Sequence, residues 1–84
     1  MVSAFVLIKT ETGKTKQVFE NLSKNLRTKQ KHMVFGAYDI VVKINTRTTD
    51  DLIAIVNTKI KSDPGVKATV VLQCWEEEGG VETG

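Results

Sequence analysis

The sequence predicts an α+β domain with the element order βαββαβ. Three observations carry that prediction. Residues 3–9, SAFVLIK, form a short apolar run with β-branched and aromatic character. Two later stretches place apolar residues at helical spacing, and each is followed by a run that reads as strand. Residues 32–44, HMVFGAYDIVVKI, read as two strands folded back on each other around Gly36, because a tight reversal needs a residue that tolerates positive φ.

The first strand, residues 3–9, is apolar on both faces, with Ala4, Val6 and Ile8 on one and Phe5 and Leu7 on the other. That pattern belongs to a strand central in its sheet. Residues 10–13 make a turn. From Lys14 to about Leu26 the period changes, with Val18, Leu22 and Leu26 at i, i+4 and i+8 beside Phe19, giving a helix with one buried stripe. Residues 27–35 alternate again, with Arg27, Lys29 and Lys31 on one face, as an edge strand does. Residues 38–45 form the next strand, with Tyr38, Ile40, Val42 and Ile44 on one face and Asp39, Val41 and Lys43 on the other. Thr48 begins a second helix, with Asp51 three residues on in the capping-box position and Leu52, Ile55, Val56 and Ile60 as its apolar stripe. That helix ends before Asp63-Pro64-Gly65, and residues 66–75 form the last strand. Two interleaved, right-handed strand–helix–strand units give a ferredoxin-like, four-stranded antiparallel sheet with both helices on one face. The first and third strands lie in its middle.

An 84-residue chain is one domain: a folded body over residues 1–75 and a tail over 76–84. It is 40% hydrophobic and 26% charged, an ordinary globular mix. So short a chain builds one thin core, and further stabilisation comes from a disulfide, a metal or a partner chain. The single cysteine, Cys74, excludes an intrachain disulfide, and no Cys/His cluster suits zinc. A partner chain remains, and no cofactor is expected. The same conclusion comes from the sheet. Two helices cover one face, and the apolar side chains of the other need a second copy packed against them. No run of about 18 apolar residues exists to span a membrane, and one free thiol without an export signal makes the cytoplasm the expected address. The net charge of +2 divides into a body of +6 and a tail of −4, in which Glu76, Glu77, Glu78 and Glu82 supply the acid. The basic residues are scattered and make no nucleic-acid stripe.

The segment Gly36-Ala37-Tyr38-Asp39-Ile40 resembles the G-x-Y-D-hydrophobic signature of the effector-binding domain of the Lrp/AsnC (leucine- and asparagine-responsive) regulators, often called RAM. Residues 4–8 resemble that domain's first strand, and Asp63-Pro64-Gly65-Val66 followed by Thr69 resembles its final turn and strand. The resemblance covers residues 3 to 74. It implies dimers formed by sheet-to-sheet packing, a dimeric α+β barrel, that associate into rings of four or five, an octamer or decamer. It also implies a small amino acid bound at the dimer–dimer interface near the hairpin. The residues it assigns to that ligand are Gly36, Ala37, Tyr38 and Asp39 of the loop, with Thr69 and Val71 of the last strand. Backbone N–H groups of the loop would hold the ligand carboxylate as an anion nest, Asp39 its ammonium, and Thr69 a further polar group. Val71 stands where the family often has a second threonine or serine, so one hydroxyl of the usual pocket is absent. The family's usual helix-turn-helix precedes this domain, and the sequence begins at the domain's first strand. The expectation is a stand-alone effector domain without direct sequence-specific DNA binding, acting on full-length regulators of the same family.

Each candidate also has a plainer reading. Asp39 can cap the hairpin by accepting turn N–H bonds. Tyr38 suits a core or interface aromatic. His32, the only histidine, has no catalytic partner at definite spacing and reads as a half-buried strand residue, so no catalytic residues are expected. The runner-up functions are a small monooxygenase- or isomerase-like enzyme of the dimeric α+β barrel type, and a ligand-free oligomerisation module.

Overall fold

The structure, a computed structural model, describes residues 1–26 and 30–74. Its elements are β1 (Val2–Thr10), α1 (Thr15–Asn25), β2 (Lys31–Met33), β3 (Ile40–Thr46), α2 (Thr49–Ile55), one wider π-helical turn (Val56–Ile60) and β4 (Val66–Gln73). The sheet is antiparallel in the order β2-β3-β1-β4, so the first and third strands are the central pair. Both the βαββαβ order and the ferredoxin-like topology read from the sequence are present.

One face of the sheet makes the core. Ala4, Val6 and Ile8 of β1 pair with Ile44, Val42 and Ile40 of β3, and all six side chains are buried. Val18 and Leu22 of α1 and Leu26 just after it pack on them from one side, and Leu52, Val56 and Ile60 from the other. Each such aliphatic side chain contributes roughly 1.5–3 kcal/mol on burial. The second helix closes on a wider turn. The turn is marked by a bond from the Lys61 N–H to the Val56 carbonyl, 2.8 Å, five residues back. Thr48 caps α2 as expected, its hydroxyl accepting the Asp51 N–H at 3.1 Å.

Two strands differ most from the sequence reading. β2 is three residues long, because few apolar side chains there have a face to bury. Arg27 and Lys29, expected on that strand, lie outside the described residues, as do Trp75 and the acidic tail. β3 begins at Ile40 and not at Tyr38, leaving a loop between Val34 and Asp39. The Val34 N–H closes it on the Asp39 carbonyl at 2.8 Å. Gly36 within it has φ +136°, the conformation that called for glycine.

The other face of the sheet is apolar and uncovered. The register sets Val41, Leu7 and Val70 in one row across three strands and Lys43, Phe5 and Leu72 in the next. Leu72 is 51% and Phe5 40% exposed, and the Lys43 ammonium lies 5.6 Å from the Phe5 ring centroid. His32 pairs with Val41 and is exposed, not half-buried, on β2, the edge strand of the sheet among the described residues.

Candidate ligand-binding site

The site begins where β3 leaves the loop. Ile8 of β1 pairs with Ile40 of β3, so one further step along the two strands sets Lys9 beside Asp39. The Asp39 N–H continues the pairing by donating to the Ile8 carbonyl at 2.9 Å. Its carboxylate turns toward the end of β1, where Oδ2 accepts the Thr10 backbone N–H at 2.8 Å and the Thr10 hydroxyl at 2.9 Å. That hydroxyl is 2.6 Å from the Thr15 hydroxyl. Since the Thr10 proton goes to Asp39, Thr15 is the donor to Thr10. One carboxylate oxygen thereby ties the start of β3 to the end of β1, and through Thr15 to the first residue of α1. Oδ1 faces Lys9, whose ammonium is 3.8 Å away.

The Asp39 carboxyl is held below its ordinary value of 3.8, chiefly by the Thr10 N–H, then by the Thr10 hydroxyl and the Lys9 charge, while partial burial works the other way. Asp39 is therefore an anion with one oxygen committed. The sequence offers Asp39 as a ligand contact or as a cap on its own turn. Within the chain its carboxylate partners are not in that turn but on the neighbouring strand. Lys9, Thr10 and Thr15 escaped that reading, although pairing Ile8 with Ile40 already points to the first two.

The remaining expected residues fall into two groups. Gly36 and Ala37 are exposed in the loop and Tyr38 is half-buried. Among the described residues nothing accepts from the N–H groups of 36, 37 or 38. Thr69 and Val71 lie on β4, opposite Ile8 and Val6, and so on the helix-facing side of the sheet. β1 stands between them and the loop, two strand spacings or about 10 Å. Val71 is nonetheless 39% exposed, because the helices lie over the other strands and leave this strip open. None of the six lines the described clefts of the chain. A separate cleft of about 400 Å³ lies between α1 and residues 59–65, lined by Lys14, Gln17, Asn21, Lys59 and Asp63, and holds none of the six. Among the described residues no cluster of His, Cys, Asp and Glu suits a metal ion, and no described helix is long and apolar enough to cross a membrane.

The four-stranded sheet with its βαββαβ order defines the ferredoxin-like class of fold, and the comparisons give the family. The model of the Lrp/AsnC ligand binding domain matches residues 3–77, and the chain belongs to that family. It is 38% identical over 77 residues to the HTH-type transcriptional regulator FL11 of Pyrococcus abyssi (strain GE5 / Orsay), covering 88% of this chain and 50% of the relative. The chain thus spans about half the length of the curated relatives it matches. The crystal structure of FFRP-DM1 superposes with a TM-score of 0.81 at 35% identity, over 88% of this chain and 99% of that one. AsnC of E. coli shares the fold, with a TM-score of 0.85 at 19% identity over 98% of this chain and 55% of that chain.

Proposed function

We propose that this chain is a non-enzymatic effector-binding and oligomerisation module that takes an amino acid or related small metabolite and modulates transcription regulators of the Lrp/AsnC type. The observation that carries the reading is the pairing of an uncovered apolar sheet face with an open, hydrogen-bonding loop whose site is incomplete in one chain. Phe5, Leu7, Val41, Val70 and Leu72 need a cover, and a second copy supplies one of matching chemistry. Gly36, Ala37 and Tyr38 offer N–H groups to a carboxylate, and Asp39 offers an anion to an ammonium, while Thr69 and Val71 line the strip a neighbour would close. Dimers so formed assemble into an octamer or decamer, in the cytoplasm, with ligand at the contacts between dimers. Occupancy then shifts the assembly because ligand binds one arrangement better than another. The module acts on full-length regulators by mixed assembly.

A second reading keeps the assembly and drops the ligand. It is favoured by one observation: the Thr10 bonds already give Asp39 a structural task. Thermal-shift screening against the twenty amino acids, with particle mass recorded alongside, separates the two. A specific rise in melting temperature accompanied by a change in mass supports the sensor, since a ligand that binds only the folded state raises stability. A stable oligomer with no response across the set supports the scaffold.

A further inference from the structure

We propose that the groove between α1 and β2 is the receptor for the Trp75-Glu76-Glu77-Glu78 segment of a second copy of this chain, in a contact that needs no ligand. The groove follows from the register. Met33 pairs with Ile40 and Lys31 with Val42, so both side chains stand on the helix side of the sheet, at its edge. Phe19 of α1 packs at the margin of the core beside them, and the Lys31 ammonium lies 5.9 Å from its ring centroid. The resulting groove, of about 530 Å³, is lined by Phe19 and Met33 with Lys16, Lys24 and Glu20 around them. Met33 is 53% exposed, although it faces the same way as the buried Ile40. Among the described residues neither Lys16 nor Lys24 has an ion-pair partner, even with Glu20 between them. An apolar groove edged by three lysines and one glutamate suits an aromatic group joined to acids.

The chain carries such a sequence. Trp75, its only tryptophan, is followed directly by Glu76, Glu77 and Glu78. An indole gains from contact with both a phenyl ring and a methionine sulfur, and the three carboxylates match Lys16, Lys24 and Lys31. The fold decides whose Trp75 it is. The Cys74 N–H donates to the Ser3 carbonyl at 2.8 Å, whereas Met33 aligns with Ile8 through Ile40. Five residues along the strands and three strand spacings across them put Cys74 roughly 20 Å from Met33. Trp75 is one Cα step of about 4 Å from Cys74, so it cannot fill the groove of its own chain. Segment and groove are different patches, so the contact is heterologous and runs from copy to copy. Four residues bury less than the roughly 1,200 Å² of a stable interface. One such contact is therefore weak, and it holds where dimers joined by their sheet faces make it in pairs.

Trp75 is its own reporter, so the test is tryptophan emission and sedimentation of the full chain across a concentration series. In the wild type the emission is expected to move to the blue as species larger than the dimer form. Met33→Glu, at an exposed position, is expected to keep the emission red and to raise the concentration needed for association of dimers at least tenfold, while the dimer itself persists. The double variant Lys16→Glu/Lys24→Glu, at two exposed helix positions, should do the same and stands in if Met33→Glu does not fold. Trp75→Ala should likewise stop at the dimer. Mixing Met33→Glu, which keeps the segment, with Trp75→Ala, which keeps the groove, should restore the blue emission that Met33→Glu alone lacks. Emission that stays red in the wild type, or that both groove variants leave unmoved, overturns the proposal. So does a mixture that restores nothing. Blue emission persisting in a dilute folded monomer also overturns it, since Trp75 would then pack on its own chain.

Discussion

The Thr10–Asp39 clamp is the contact whose removal the structure prices most directly. Thr10→Val deletes one hydrogen bond, the hydroxyl to Oδ2, and keeps the backbone N–H bond. A hydrogen bond to a charged group contributes about 1.5–3 kcal/mol. The carboxylate is 25% exposed, so screening brings the expected cost to about 1–1.5 kcal/mol. Asp39→Ala removes both bonds and leaves the N–H of a buried residue without its acceptor, for about 2–3 kcal/mol. The double variant should then be less destabilised than the sum, with a coupling of about 1 kcal/mol. In a domain of this size 1 kcal/mol moves the melting temperature by roughly 4–8 °C, so Asp39→Ala is expected to melt roughly 10–20 °C lower. The assay is thermal and urea unfolding of the four proteins at one fixed concentration, because assembly makes apparent stability concentration-dependent. Strictly additive losses, or an Asp39→Ala protein melting within about 2 °C of wild type, would refute the clamp.

Further expectations follow from neighbouring features. Because the folded-state value of Asp39 lies below its ordinary 3.8, its stabilisation is complete above that value and is lost as pH falls through the lower folded one. The stability gap between wild type and Asp39→Asn should therefore be constant near neutrality and close in strong acid, as read by unfolding across pH. Gly65→Ala would place a Cβ 2.6 Å from Val18 Cγ2 and should cost about 1–3 kcal/mol, with Val18→Ala in the same chain recovering part of it in urea unfolding. Thr48→Ala loses the cap on α2 and should cost about 1 kcal/mol by the same assay, without altering particle mass.

Much of this architecture is legible along the chain because it depends on local rules. The stripe Val18, Leu22, Leu26 announces α1, Thr48 with Asp51 announces the start of α2, and Gly36 marks the reversal through its backbone alone. The apolar second face of β1, Phe5 and Leu7, identifies a central strand before any pairing is known. What stays hidden is tertiary. Asp39 is conspicuous as a carboxylate heading an apolar strand, but its partner Thr10 is 29 residues away and comes within reach only through the β1–β3 register. Gly65 reads as a turn glycine, yet it is also where the chain presses on Val18. The open strip at Thr69 and Val71 follows from where the helices come to rest, which spacing does not dictate.

The central claim is that the bare sheet face joins copies of this chain, and particle mass tests it most directly. Sedimentation of the 9.3 kDa chain should give even multiples of the monomer, with no monomer at micromolar concentration. Leu7→Lys, a charge set in the middle of that face and away from the helix-side core, should shift the population to folded monomer. A wild-type protein that sediments as a folded monomer, or an assembly indifferent to Leu7→Lys, would contradict the account.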